Sequence, residues 1–171
     1  MPFISVPKVK QPQSNWCWAA CCESFIGYYE KKIKTQHEFL LLVGNSAFQE
    51  QMATHVHGEP LNMLADPNNF SKLLGQILGA PTMVHTYRAD YAVQGRYSED
   101  QIRGAIDKKK IFILGAKSHF MVLCGYGNKP GGEEEGLFFM DPFVGNYIWE
   151  PWEIYSRDAM NMVWLKGTGL D

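Results

Sequence analysis

Near residue 80 the sequence changes its hydrophobic period, and that change constrains the fold class more than any other feature. Before it, apolar residues recur at three- and four-residue steps. Trp18, Cys22, Phe25, Ile26 and Tyr29 predict a helix from Trp16 to about Tyr29, with Ser14 or Asn15 able to cap its first turn. Further helices are predicted over Gln36 to Val43, stopped by Gly44 and Asn45, and over Ser46 to His55. Another runs from Asn69 through Leu78, capped by Asn68 or Asn69 and ended by Gly79, Ala80 and Pro81. After residue 80 the pattern becomes strand-like. PTMVHTYRA reads as a strand, and YSEDQIRGAIDKKK as one more helix, opened by a capping box from Ser98 to Gln101. IFILGA (111–116), SHFMVLCGYG (118–127), GLFFMDP (136–142), GNYIWEP (145–151) and MNMVWLK (160–166) read as strands. Helices first and antiparallel strands second is the α+β pattern. At 171 residues a single domain is expected, helical over about 1–80 and strand-rich over about 81–171.

Composition narrows the function classes. With 46% apolar and 20% charged residues the chain has ordinary globular content, and its net charge is −2. The longest basic run is Lys108 to Lys110, so nothing supports binding to nucleic acid or to an anionic membrane. No apolar run approaches the roughly 18–20 residues of a membrane span, so no membrane insertion is expected. The opening MPFISVPKVKQPQ lacks the apolar core of a secretory signal, so export is expected only by another route, such as a specialised secretion system, or as a fragment of a longer chain, and the localisation stays open.

Three of the four cysteines, Cys17, Cys21 and Cys22, fall within six positions of the first helix. The spacing suits neither a disulfide framework nor a zinc site, and free thiols are expected; a bridge from the helix to Cys124 is the one alternative. All three could simply fill the core, because free cysteine packs as a small hydrophobe. The chemical reading singles out Cys17, placed exposed at the helix start, where unpaired N–H groups and the macrodipole favour a thiolate. Cys21 and Cys22 then pack the helix behind it.

A cysteine nucleophile needs a histidine to take and return a proton. His37 sits in a polar helix start. His55 and His57 read as surface residues, or as two metal ligands without a third, and His85 as a partly buried strand residue. His119 opens an apolar strand, where a polar side chain either is satisfied structurally or faces a cleft. Asp141 ends the following strand. A hairpin between the two segments would bring Asp141 beside His119, where a carboxylate could orient the imidazole. Gln11 and Gln13 precede Cys17 on an extended lead-in, and either could donate an amide N–H to an oxyanion.

Together these residues resemble the papain-like cysteine peptidases. Gln11 stands six positions before Cys17, which is followed by Trp18, Ala19 and Ala20; SHFMVLCGY and FFMDP follow in the same order. The resemblance implies a helical lobe carrying the cysteine, packed against an antiparallel sheet lobe. It implies Cys17, His119 and Asp141 as catalytic residues, with Gln11 rather than Gln13 at the oxyanion, and neither cofactor nor metal. Asp in place of Asn and the short chain are similar to a bacterial effector and toxin branch, which the WCWAA surround fits better than the bacteriocin-processing peptidases. That branch implies a protein or peptide substrate and an immunity or inhibitor protein as partner. Deamidation, amidase cleavage and transglutamination would use the same groups, and a silent domain of this fold would use none of them.

Overall fold

The computed structural model describes residues 1–33, 46–59, 61–87, 96–167 and 170. Helix α1 (Cys17–Ile33) is followed by α2 (Ser46–His57) and α3 (Pro67–Leu78). Strand β1 (Thr82–Thr86) and helix α4 (Glu99–Asp107) lead into β2 (Phe112–Ala116), β3 (His119–Asn128), β4 (Glu135–Asp141) and β5 (Asn146–Pro151). A short α5 (Glu153–Ser156) and β6 (Ala159–Leu165) complete the order. The helix predicted over Gln36 to Val43, its Gly44 and Asn45 stop, and His37 lie outside the described residues.

The strands form one six-stranded antiparallel sheet in the order β1-β6-β2-β3-β4-β5. This is the α+β, papain-like layout expected from the sequence. Strand β6 enters between β1 and β2 and so ties β1 to the rest of the sheet. Helices α1 and α3 pack against it. Phe70 of α3 stacks on Trp18 of α1 at 5.9 Å and meets Phe120 of β3 edge-on at 5.3 Å. The first predicted helix runs four residues further than its periodicity suggested, to Ile33.

Two predicted caps are corrected. Asp66, not Asn68 or Asn69, caps α3: its carboxylate accepts from the Asn68 N–H, and Gly79 closes the other end at φ 61°. Pro67 explains the shift, because a residue without an N–H is best spent on the first helical position. Neither Ser14 nor Asn15 caps α1. The Ser14 hydroxyl accepts from Asn62 Nδ2, and Asn15 Nδ2 donates to the Asn62 carbonyl. The capping box at Ser98 and Gln101 forms as expected.

All four cysteines are free and buried. Cys124 is the extra residue of a bulge in β3, where the pairing with β4 shifts between Leu123 and Gly125, and its thiol donates to the Phe138 carbonyl. Among the described residues no helix is long and apolar enough to cross a membrane, and no three His, Cys, Asp or Glu side chains gather to hold a metal ion. His57 lies edge-on to Trp18 and His85 against Tyr87 and Tyr97.

Candidate active site

Cys17 is the first residue of α1, at the helix end where geometry leaves N–H groups without intrahelical partners. Contrary to the exposed position expected for it, Cys17 is only 1% exposed. A loop from the other side of the helical region covers this end. Trp16 Nε1 donates to the Leu61 carbonyl at 2.8 Å and Trp18 Nε1 to the Met63 carbonyl at 3.0 Å. Between them Asn62 accepts from the Asn15 N–H, so residues 61–63 are pinned across the start of α1. The tryptophans on either side of the cysteine thus serve as clasps as well as core.

His119 opens β3 and Asp141 ends β4. Val122 pairs with Met140, so Asp141 lies one step further along, diagonal to His119 on the shared face. His119 Nε2 and Asp141 Oδ1 are 2.7 Å apart. The same oxygen accepts from the Phe143 N–H at 2.8 Å, and Gly145 closes the loop by donating its N–H to the Asp141 carbonyl at 2.7 Å. Gly145 sits at φ 73°, and a Cβ there would come within 2.9 Å of Lys10 Cβ. Asp141 is thereby fixed at the tip of a tight loop that only glycine closes easily.

The electrostatics follow from this packing. Burial lowers the His119 pKa, but hydrogen bonds to Asp141 and to the Cys17 sulfur, with the charges on both, outweigh it and raise the ring to about 9. Burial would raise Asp141; bonding to His119 and the Phe143 N–H outweighs it and holds the carboxyl below its ordinary value. With Nε2 committed to Asp141, the ring's other nitrogen is the one left for sulfur. Burial, then the neighbouring Cys17 sulfur, pushes the Cys21 and Cys22 thiols well up, and burial raises Cys124 to about 12. Those three stay protonated packing groups.

Gln11 is buried on the lead-in. Its backbone N–H donates to the Pro142 carbonyl at 2.9 Å, tying the lead-in to the Asp141 loop. Its side-chain Nε2 donates to the carbonyls of Gln13 and Ser14, each at 2.8 Å, while Oε1 is buried without a partner. Both amide hydrogens are therefore engaged with the turn that precedes α1.

The structure adds groups that no sequence pattern marked. A cavity of about 200 Å³ opens beside His119, with Leu64 and Ala65 from the helical side and Ala116, Met160 and Asn161 from the sheet. Seven large apolar side chains are exposed among the described residues: Leu61, Met63, Leu64, Phe143, Val144 and Met160 near the site, and Met1 away from it. The segment LNML carries no motif. Only its contacts with Asn15, Trp16 and Trp18 reveal its place.

A helix-tip thiol meeting an imidazole on an antiparallel sheet is the layout of a papain-like cysteine hydrolase. Residues 3–167 match the model of the Peptidase_C39 like family, and the chain belongs to that family, which is of the cysteine peptidase type. The description carries a hydrolase and peptidase class; no effector, toxin or virulence role comes with it. No curated protein matches the chain.

Proposed function

We propose that this protein hydrolyses peptide or isopeptide bonds through Cys17, His119 and Asp141. The observation that carries the reading is the convergence of three side chains from α1, β3 and β4. His119 bonds Asp141 through Nε2, and the neighbouring Cys17 sulfur is among the groups that raise the ring's pKa. A helix end and an imidazolium beside one sulfur are the two arrangements that most favour a thiolate nucleophile.

In the proposed reaction the Cys17 thiolate attacks the substrate carbonyl and forms a tetrahedral intermediate. The Cys17 N–H and the Gln11 amide donate to the oxyanion, Gln11 by sharing or exchanging one of its two carbonyl partners. The C–N bond breaks as His119 gives its proton to the leaving amine, and an acyl-thioester remains on Cys17. Water, deprotonated by His119, attacks the thioester; the acid product leaves and the thiolate returns with the imidazolium. Asp141 holds the ring's tautomer and charge throughout.

Apolar groups near the site support a polypeptide substrate over a small primary amide. Phe143 and Val144 lie two and three residues after Asp141, while Leu64 and Met160 stand at the cavity beside His119. A primary amide has little chain to lay across two such surfaces. Exposed apolar clusters of this kind mark places where another molecule is bound.

Cys17→Ala tests the assignment. Turnover should disappear while the melting temperature stays within a few degrees of the wild type, because a methyl group fills most of the same space. A new amino terminus in the product supports peptide cleavage; release of ammonia would assign the groups to deamidation instead. Retained turnover in Cys17→Ala rejects the site.

A further inference from the structure

Strands β2 and β3 are joined by two residues, Lys117 and Ser118, with Ala116 paired to His119 across the turn. Both turn residues have positive φ, 49° and 63°. Two-residue hairpins with this backbone strongly prefer Asn-Gly, since other L-residues are strained there. The strain therefore sits immediately before His119. Strain of this sort persists only where surrounding contacts hold it, and it concentrates at functional sites.

The contact that holds this turn is an ion pair. Lys117 Nζ lies 3.0 Å from Asp158 Oδ2, and Asp158 also receives Arg157 through Nε and Nη2 at 3.0 and 3.1 Å. Those bonds keep the Asp158 carboxyl near pKa 2, Arg157 contributing first and Lys117 next. Asp158 immediately precedes β6, whose Ala159 pairs with Ala116 at an irregular point in the β2–β6 register. The next two residues, Met160 and Asn161, line the cavity beside His119. Lys117 is 64% exposed, so its ion pair contributes little to global stability. An Asn-Gly turn would close the hairpin with less strain and would lack the ammonium group. What Lys117 supplies is a fixed distance between the hairpin tip and the start of β6.

We infer that Lys117 and Asp158 form a latch: two positioning residues that hold the strained turn so that His119 stays aligned between Cys17 and Asp141 and at a fixed distance from the Met160–Asn161 wall. The inference rests on His119 acting as the proton-transfer group of the proposed reaction. Neither latch residue lines the cavity beside His119.

Three variants test it, read by thermal melting, steady-state peptide cleavage and NMR titration of the His119 ring. Lys117→Met should lower kcat by about tenfold or more at unchanged KM, as small misplacements of catalytic groups do. It should also move the ring's pKa from about 9 toward its ordinary value. Lys117→Arg reaches the same carboxylate and should restore both. Lys117→Asn combined with Ser118→Gly relaxes the backbone but has no ammonium; it should melt higher than the wild type yet turn over as slowly as Lys117→Met. A Lys117→Met protein with wild-type kcat and wild-type ring titration overturns the latch, and so does a fully active Asn-Gly turn. The titration needs no substrate. If the protein cleaves no peptide and the ring still shifts with Lys117, the latch stands and the functional reading alone fails.

Discussion

His119 is the residue at which stability and the proposed chemistry meet, because one proton would serve both. Its pKa is raised from 6.5 to about 9 in the fold, so the folded state binds that proton more tightly than the unfolded chain does. The resulting stabilisation is complete below about 6.5, fades as pH rises toward 9 and is gone above it. The lowered pKa of Asp141 describes the same bond from the other side, present above the ordinary carboxylate value and lost in acid. Asp141→Asn should therefore be less stable than the wild type at pH 6, with the gap closing by pH 10. The ring is 29% exposed, which with solvent screening keeps the gap to about 1–2 kcal/mol. Thermal melts of both proteins across that range measure it, and a gap independent of pH would break the assignment of His119 as the titrating group. Wild-type turnover should fall above about pH 9, where the imidazolium has lost the proton destined for the leaving amine. These residues were legible in the sequence because each stands in a local pattern: a helix start, a strand start, a strand end before proline. The burial of Cys17 was not, since the loop that covers it lies some 45 residues away in the chain and joins through backbone carbonyls that no side-chain pattern encodes.

At the scale of elements, periodicity and turn chemistry located the six strands and helices α1 to α4 to within a few residues, while the single-turn α5 was missed because four residues show no period; the cap errors came where several residues could do the same job. Asp66, Asn68 and Asn69 are all good caps, and only the missing N–H of Pro67 decides among them. Strand order was beyond reach for a different reason. β6 pairs with β1 and β2 across long sequence separations, fixed by which apolar faces fit rather than by any turn. The capping box of α4 shows how separable an element can be from the site. Arg103 of that helix meets Tyr126 near the far end of β3, seven residues and roughly 23 Å of strand from His119. Ser98→Ala should cost about 1 kcal/mol of stability, the usual worth of a lost N-cap, and leave kcat and KM unchanged at temperatures well below melting. A matching loss of kcat would mean that α4 is coupled to the site through β3.

The whole molecule is drawn together by its lead-in, residues 1–16, which runs from the far end of the sheet to the Cys17 helix. Phe3 bridges Gly125, Tyr126 donates its N–H to the Pro2 carbonyl, and Ile4 donates to the Cys124 carbonyl. Further along, the Tyr147 hydroxyl accepts from the Val6 N–H and donates to the Val6 carbonyl, and Ser24 of α1 donates to the Pro7 carbonyl. Gln11 then anchors on Pro142 beside the Asp141 loop. One strap thus crosses β3, β4 and β5 before delivering the chain to Cys17, so its attachment to the sheet and the placement of Gln11 are mechanically linked. Tyr147→Phe isolates that link, because it removes one hydroxyl and no packing. Two hydrogen bonds at a buried valine are worth about 2 kcal/mol, which for a chain of this size lowers the melting temperature by about 4 to 8 °C. Amide exchange should quicken along residues 4–11 while β2 and β6 keep their protection. At temperatures where the variant is fully folded, kcat should still fall several-fold with KM little changed, since the loosened strap presents Gln11 to the oxyanion for less of the time. Normal kcat together with fast exchange would instead confine the strap to a structural role and leave the oxyanion to the helix end alone.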